Sequence, residues 1–162
     1  MKFYTIYTDG SANPNPGPGG FGVVVLDNTE NFVYNLYRES SEKTTNNREE
    51  LKAILYALKT YGVNIFDLSE DEFIRVPIVY SDSAYAINTY NDWMWRWASN
   101  NWIKSDGAKA ENLDIIQEYY DLWNQGFRIE LKKVTGHSDV KGNILADRLA
   151  ADKIPNWRVY NE

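Results

Sequence analysis

Cysteine is absent from this 162-residue sequence, and histidine occurs once, as His137. A disulfide framework, a thiolate zinc site and a cysteine nucleophile are thereby excluded, and a bound metal must rely on oxygen ligands or that one imidazole. Long apolar runs are also missing: no stretch approaches the roughly 20 residues that span a bilayer. The opening residues Met1-Lys2-Phe3-Tyr4-Thr5 carry neither an apolar signal core nor a small-residue cleavage site. No membrane association is expected, and the expected location is cytoplasmic. Positive charge is in short supply too. Against 23 Asp and Glu stand only 17 Lys and Arg, a net charge of −6, which is an unpromising balance for nucleic acids, usually held by basic surfaces. The objection weakens where acids gather around cations, because four carboxylates neutralise two divalent ions that then contact phosphate themselves.

The length and the 43% hydrophobic content suit one domain over residues 1–162, and no internal repeat or linker-like composition shift interrupts it. Phe3 to Thr8 is nearly all β-branched or aromatic, as in a strand buried on both faces. A loop rich in Gly, Pro and Asn follows from Gly10 to Gly20. Phe21 to Leu26 and Phe32 to Arg38 read as a hairpin around Asp27-Asn28-Thr29-Glu30. A helix is expected from Asn47 to Tyr61, opened by a capping-box pattern of Asn46 and Glu49 and striped by Leu51, Ile54, Leu55 and Leu58. Further along come a strand at Val76 to Ser81, helices at Ala84 to Tyr90 and Asn112 to Trp123, a strand at Phe127 to Val134 and a helix at Asn143 to Lys153. The order β-β-β-α-β-α-α-β-α implies an α/β fold, a five-stranded mixed sheet with helices packed against it.

Two acids sit at strand ends in that order. Asp9 closes the first strand and Asp82 the fourth; if those strands are parallel neighbours, the two carboxylates come side by side where open α/β sheets place their sites. Each has an ordinary alternative, Asp9 as a turn residue and Asp82 as a helix N-cap. On the first helix, Glu49 falls opposite the apolar stripe and is expected to face water, whereas Glu50 falls at its margin, facing the sheet. A boundary ion pair would also suit Glu50. Asp147 lies one helical turn after Asn143 on the last helix, beside Arg148, where a solvated surface charge is the ordinary reading. His137 occupies the loop before that helix, a setting that suits either function or plain exposure.

Taken together these residues form a pattern: Tyr7-Thr8-Asp9-Gly10-Ser11 with Asn15-Pro16-Gly17-Pro18-Gly19-Gly20, then Thr44-Thr45-Asn46-Asn47-Arg48-Glu49-Glu50-Leu51, then Ser81-Asp82-Ser83, then Thr135-Gly136-His137 with Asn143 and Asp147. In order and spacing it resembles the type 1, bacterial-type ribonuclease H family over residues 3 to 152. The resemblance implies the ribonuclease H-like fold and an endonuclease that cuts the RNA strand of RNA·DNA hybrids, leaving 5′-phosphate and 3′-hydroxyl ends. It implies that Asp9, Glu50, Asp82 and Asp147 bind two Mg²⁺ in the presence of substrate, with Mn²⁺ a possible substitute, and that His137 assists turnover. Hard oxygen ligands are what Mg²⁺ prefers, and two such ions can activate water and steady a departing 3′ oxygen.

Sensing a 2′-hydroxyl requires a polar wall along the shallow minor groove. By matching position the candidates are the backbone at Gly10 and Ser11, then Asn15, Thr45, Asn46, Asn47 and Asn143, although turn and capping chemistry explains several of them equally well. The family's basic protruding segment corresponds here to residues 93 to 112, where Arg96, Lys104 and Lys109 are nearly balanced by Asp106 and Glu111. Its tryptophans suit packing between helices, and Trp93 is the one expected to touch substrate. Ala84 and Arg96 depart from the family's usual Gln and Asn. The expected partner is the hybrid, with the protein a monomer. A DNA-acting nuclease of the same superfamily, or a non-catalytic hybrid-binding module, are the competing readings.

Overall fold

The computed structural model describes residues 4–27, 29, 32–69, 75–134 and 140–160. Its centre is a five-stranded mixed sheet. Strands β1 (Tyr4–Ala12), β2 (Gly17–Asp27) and β3 (Val33–Thr44) form an antiparallel meander, while β5 (Ile78–Ser81) lies parallel to β1 and β7 (Glu130–Lys133) parallel to β5, giving the spatial order β3-β2-β1-β5-β7. The period-two geometry of a strand explains the continuous apolar runs. Ile6, Val23 and Val25 point to one face, under helix α1 (Asn46–Tyr61), and Tyr7, Val24 and Leu26 point to the other, under helix α5 (Lys141–Ala150). Each fully buried side chain of this size contributes roughly 1.5–3 kcal/mol, so covering both faces is worth far more than leaving one wet.

Helix α1 forms where Leu51, Ile54 and Leu58 recur on one side, all fully buried. Its cap is Thr45, whose hydroxyl accepts from the Arg48 N–H at 3.1 Å, in place of the Asn46–Glu49 box expected from the sequence. The larger correction concerns Glu49, which was expected in water and is fully buried. The reason lies in β3, which runs six residues further than the hydrophobic pattern suggests, to Thr44. The Thr44 hydroxyl donates to Glu49 Oε2 at 2.8 Å, and Lys52 Nζ, itself bonded to Ser41, donates to the same oxygen at 3.0 Å. A helical wheel assumes solvent opposite the apolar stripe, and here a strand end covers it.

The other departures are of boundary. The loop expected at Gly10 to Gly20 shrinks to Asn13–Pro16 because β1 and β2 keep pairing to Ala12↔Gly19. The strand expected at Phe127 to Val134 divides into β6 (Phe127–Arg128), which pairs with β4 (Val63–Asn64) in a separate two-stranded ribbon, and β7. Helix α2 (Ala84–Asn88) continues through a π-helical turn at Thr89–Trp93 into α3 (Met94–Ala98), and α4 (Leu113–Asn124) packs beside α1. No helix among the described residues is long and apolar enough to cross a membrane.

Candidate active site

Parallel pairing of β1 with β5, in register at Tyr7↔Tyr80, carries both strands to their carboxyl ends together and sets Asp9 beside Asp82. Glu50 arrives from α1, which can approach β1 only because Gly10 lacks a side chain: a Cβ there would overlap the backbone of Glu49 and Glu50. Ser83, not Asp82, caps α2, accepting from the Ala86 N–H at 3.1 Å, so the Asp82 carboxylate is not consumed by capping. As a result one ligand oxygen from each of Asp9, Glu50 and Asp82 falls within 4.8 Å of the others.

This cluster is electrostatically uncomfortable. Asp9 and Glu50 are 6% and 7% exposed, and Glu50 Oε2 is buried with no hydrogen-bond partner. Burial, aided by the charges of Asp82 and Asp147, pushes the Asp9 carboxyl up to about 7 despite hydrogen bonds from Glu50 and the Gly10 N–H. Burial and then the Asp9 charge hold Glu50 well above the usual carboxylate range, and burial with the Asp147 charge raises Asp82, partly offset by Lys133. A donor set of convergent carboxylate oxygens, one of them unpartnered, fits a hard divalent cation that would remove the repulsion.

Asp147 takes a different position. It is exposed on α5, outside the group of three, yet its charge is felt by both Asp9 and Asp82. Asn143 sits half-buried one turn earlier on the same helix. Thr135, Gly136 and His137 lie outside the described residues.

Asn15, Thr45, Asn46 and Asn47 lie at the β1–β2 turn and the start of α1. Asn46 Oδ1 accepts from the Ala12 N–H at 2.6 Å, and the Asn46 N–H donates to Asn15 Oδ1 at 3.1 Å. These bonds use the amide oxygens to pin the β1–β2 turn onto the start of α1. Asn47 is exposed and Ser11 half-buried. Arg48 reaches the other way, to Asp114 at 3.0 Å, tying α1 to α4.

Of the tryptophans, Trp95 and Trp102 pack edge-on against Tyr120, with Trp95 also on Trp123, as the inter-helix reading expects. Trp93 instead borders an open cleft of about 550 Å³ with Tyr85, Arg96, Trp97, Ile103 and Lys104. Its ring lies 6.2 Å from Tyr85 and 5.9 Å from Trp97, centre to centre. Tyr85 and Trp97 were not among the residues expected to meet a ligand. Their spacing, eight and four residues from Trp93 along one helical stretch, is the signal that groups them.

The sequence profile of the RNase H family matches residues 1–154. A ribonuclease H of Thermoanaerobacter sp. (strain X514) is 38% identical over 154 residues, covering 92% of this chain and 88% of that protein. Among solved structures, LC9-RNase H1, described as a type 1 RNase H with the type 2 active-site motif, is 27% identical with a TM-score of 0.67, covering 97% of this chain and 74% of that one. LC11-RNase H1, solved in complex with an RNA/DNA hybrid, is 24% identical with a TM-score of 0.59, covering 94% of this chain and 96% of that one; it supports the shared fold.

Proposed function

The chain belongs to the ribonuclease H family, and from that premise we propose that residues 1–162 form one ribonuclease H domain that cuts the RNA strand of RNA·DNA hybrids endonucleolytically, leaving 5′-phosphate and 3′-hydroxyl ends. The observation that carries the reading is the meeting of Asp9, Glu50 and Asp82 within 4.8 Å at the carboxyl end of the central strands. Two Mg²⁺, with Mn²⁺ able to substitute, would be held by these three and Asp147, and when bound they supply charge neutralisation, a water of lowered pKa and stabilisation of the departing 3′ oxygen.

The chain's own residues do the remainder. Asp9 and Asp82, fixed by parallel strands, provide rigid ligands, and Glu50, carried by α1, provides the third. The side-chain NH₂ groups of Asn15 and Asn46, with Asn47 and the backbone at Gly10 and Ser11, face the minor groove and test for a 2′-hydroxyl. Thr45 presents the start of α1 to a backbone phosphate, and Asn143 flanks the acids from α5. Trp93 supports the DNA strand by ring contact rather than charge. His137 assists turnover from its loop. The protein acts as a cytoplasmic monomer.

The test is direct. End-labelled RNA·DNA hybrid, double-stranded RNA and duplex DNA are each incubated with the protein in Mg²⁺ or in EDTA, with Asp9→Asn as the inactive control. Cutting confined to the RNA of the hybrid, abolished by EDTA and by Asp9→Asn, is the expected result. Cleavage of duplex DNA, or activity that survives EDTA, would reject it.

A further inference from the structure

Asp147 is the acid whose placement needs explaining. It lies on α5 near the carboxylates of buried Asp9 and exposed Asp82, both of which its charge destabilises, so repulsion drives it towards solvent unless its backbone is held. Helix α5 has only ten residues, and its N-cap, Val140, offers no side-chain acceptor. The helix is instead fastened near its other end. Arg38, on the edge strand β3 opposite Gly22, sends its guanidinium across β2. It passes over Gly20, where an added Cβ would lie 2.8 Å from Nη2. Its Nε donates to the Leu149 carbonyl at 2.9 Å, two residues after Asp147. Gly22 completes the approach, since a Cβ there would come within 2.9 Å of the Ala150 nitrogen and 3.0 Å of the Ala146 carbonyl.

The Arg38 side chain is 12% exposed. A charged donor bonded to a helix C-terminal carbonyl in such surroundings is far stronger than its exposed neighbour, the 3.7 Å pair with Asp152, which is 67% exposed. Arg38 also shares one groove with Ser11 and Asp147, so the fastening lies next to the acid it serves.

We propose that Arg38 is a positioning residue for the hydrolysis inferred above: by tying the end of α5 to β3 it fixes the Asp147 backbone against Asp9 and Asp82. The inference rests on that reading for its kinetic consequences only. Without the bond, the last turn of α5 loosens and Asp147 turns away from the cluster.

Arg38→Ala and Arg38→Lys are compared with the wild-type protein and with Leu58→Ala, a core variant on α1 chosen to lower stability away from α5. At saturating hybrid, Arg38→Ala is expected to lower kcat and raise the half-saturating Mg²⁺ concentration, each about three- to tenfold, below the roughly 10–100-fold typical when a group bonds a metal ligand directly. KM for the hybrid stays within about twofold, Arg38→Lys recovers part of the loss by keeping the charge, and Leu58→Ala leaves all three constants unchanged. Two readouts are independent of turnover: calorimetric Mg²⁺ uptake by the hybrid-free protein weakens in Arg38→Ala by a similar factor, and hydrogen exchange of the Ala151 and Asp152 amides accelerates. Wild-type Mg²⁺ affinity and exchange rates in Arg38→Ala, or the same changes in Leu58→Ala, would overturn the proposal. Failure of the wild-type protein to cut hybrid would instead count against the proposed function, and the calorimetric comparison would still decide the role of Arg38.

Discussion

The acids at the ends of β1 and β5 and the aromatic cleft along residues 84–98 handle charge in opposite ways. Asp9 and Glu50 are buried beside the more exposed Asp82, Lys133 offsets only part of the repulsion at Asp82, and a divalent ion bound there would relieve the rest. In the cleft the charges are exposed and neutralised locally, as Arg96 is by Asp92 at 3.0 Å, and the walls are indole and phenol rings. A metal site must be pre-organised at a cost to stability, because its ligands have to stay unpaired. A surface that holds a polymer needs no such strain, because ring contacts are made one at a time and are tolerant of sequence.

The most severe way to break the comparison is Asp9→Asn. Hydrolysis should fall more than about a thousandfold, since even one lost transition-state donor costs about 10²–10³ in kcat. The same change should raise the thermal stability of the metal-free protein at pH 8. Asp9 binds its proton more tightly folded, near 7, than unfolded, near 3.8. Its contribution to stability is therefore fully present below about 3.8 and is lost as pH rises through about 7. In EDTA the wild-type Tm should drop between pH 5 and pH 8 relative to Asp9→Asn, by about 2–4 °C for each kcal/mol released, and Mg²⁺ should close the gap. Parallel melting curves for the two proteins across that range would show that the cluster is not strained.

How much of this centre was legible follows from the physics of each element. Asp9 and Asp82 were readable because a strand end fixes a side chain's position once parallel pairing is assumed, and the β-α-β order makes that assumption safe. Glu50 was readable from helical phase. Glu49 was not, because its cover comes from residues 38–44, an Arg-Glu-Ser-Ser-Glu-Lys-Thr run with no apolar alternation that pairs as a strand through its backbone. Asp147 carried no local signal at all and stood out only through resemblance to a family. Arg38 was invisible for the same reason: its importance lies in crossing the neighbouring strand to reach a helix end, a contact of 111 residues' separation.

On the cleft side the sharper test is Trp93→Leu against Trp95→Leu. Ring stacking on a base is worth about 1–3 kcal/mol, so Trp93→Leu should raise KM for the hybrid about tenfold while leaving kcat and Tm nearly unchanged. Trp95, packed edge-on between Tyr120 and Trp123, should show the reverse, a lower Tm with KM preserved. Equal KM effects from the two would mean that the cleft acts only through the packing beneath it.

The smallest effect concerns salt. Each phosphate neutralised by Lys or Arg steepens the dependence of log K on log salt by about 0.9 for B-DNA. Residues 93 to 112 offer Arg96, Lys104 and Lys109, with Arg96 already paired to Asp92 and the other two balanced by Asp106 and Glu111. Few counterions are therefore released on this side. At the acid centre the proposed ions meeting phosphate would be divalent and brought from solution, so raising monovalent salt would displace little there. Hybrid binding in Ca²⁺, which occupies oxygen sites without demanding Mg²⁺ geometry, should give a slope shallower than about −3. A slope near −6 would require at least six phosphate contacts from Lys and Arg, and the cleft's near-neutral charge would then be the wrong explanation for how the strand is held.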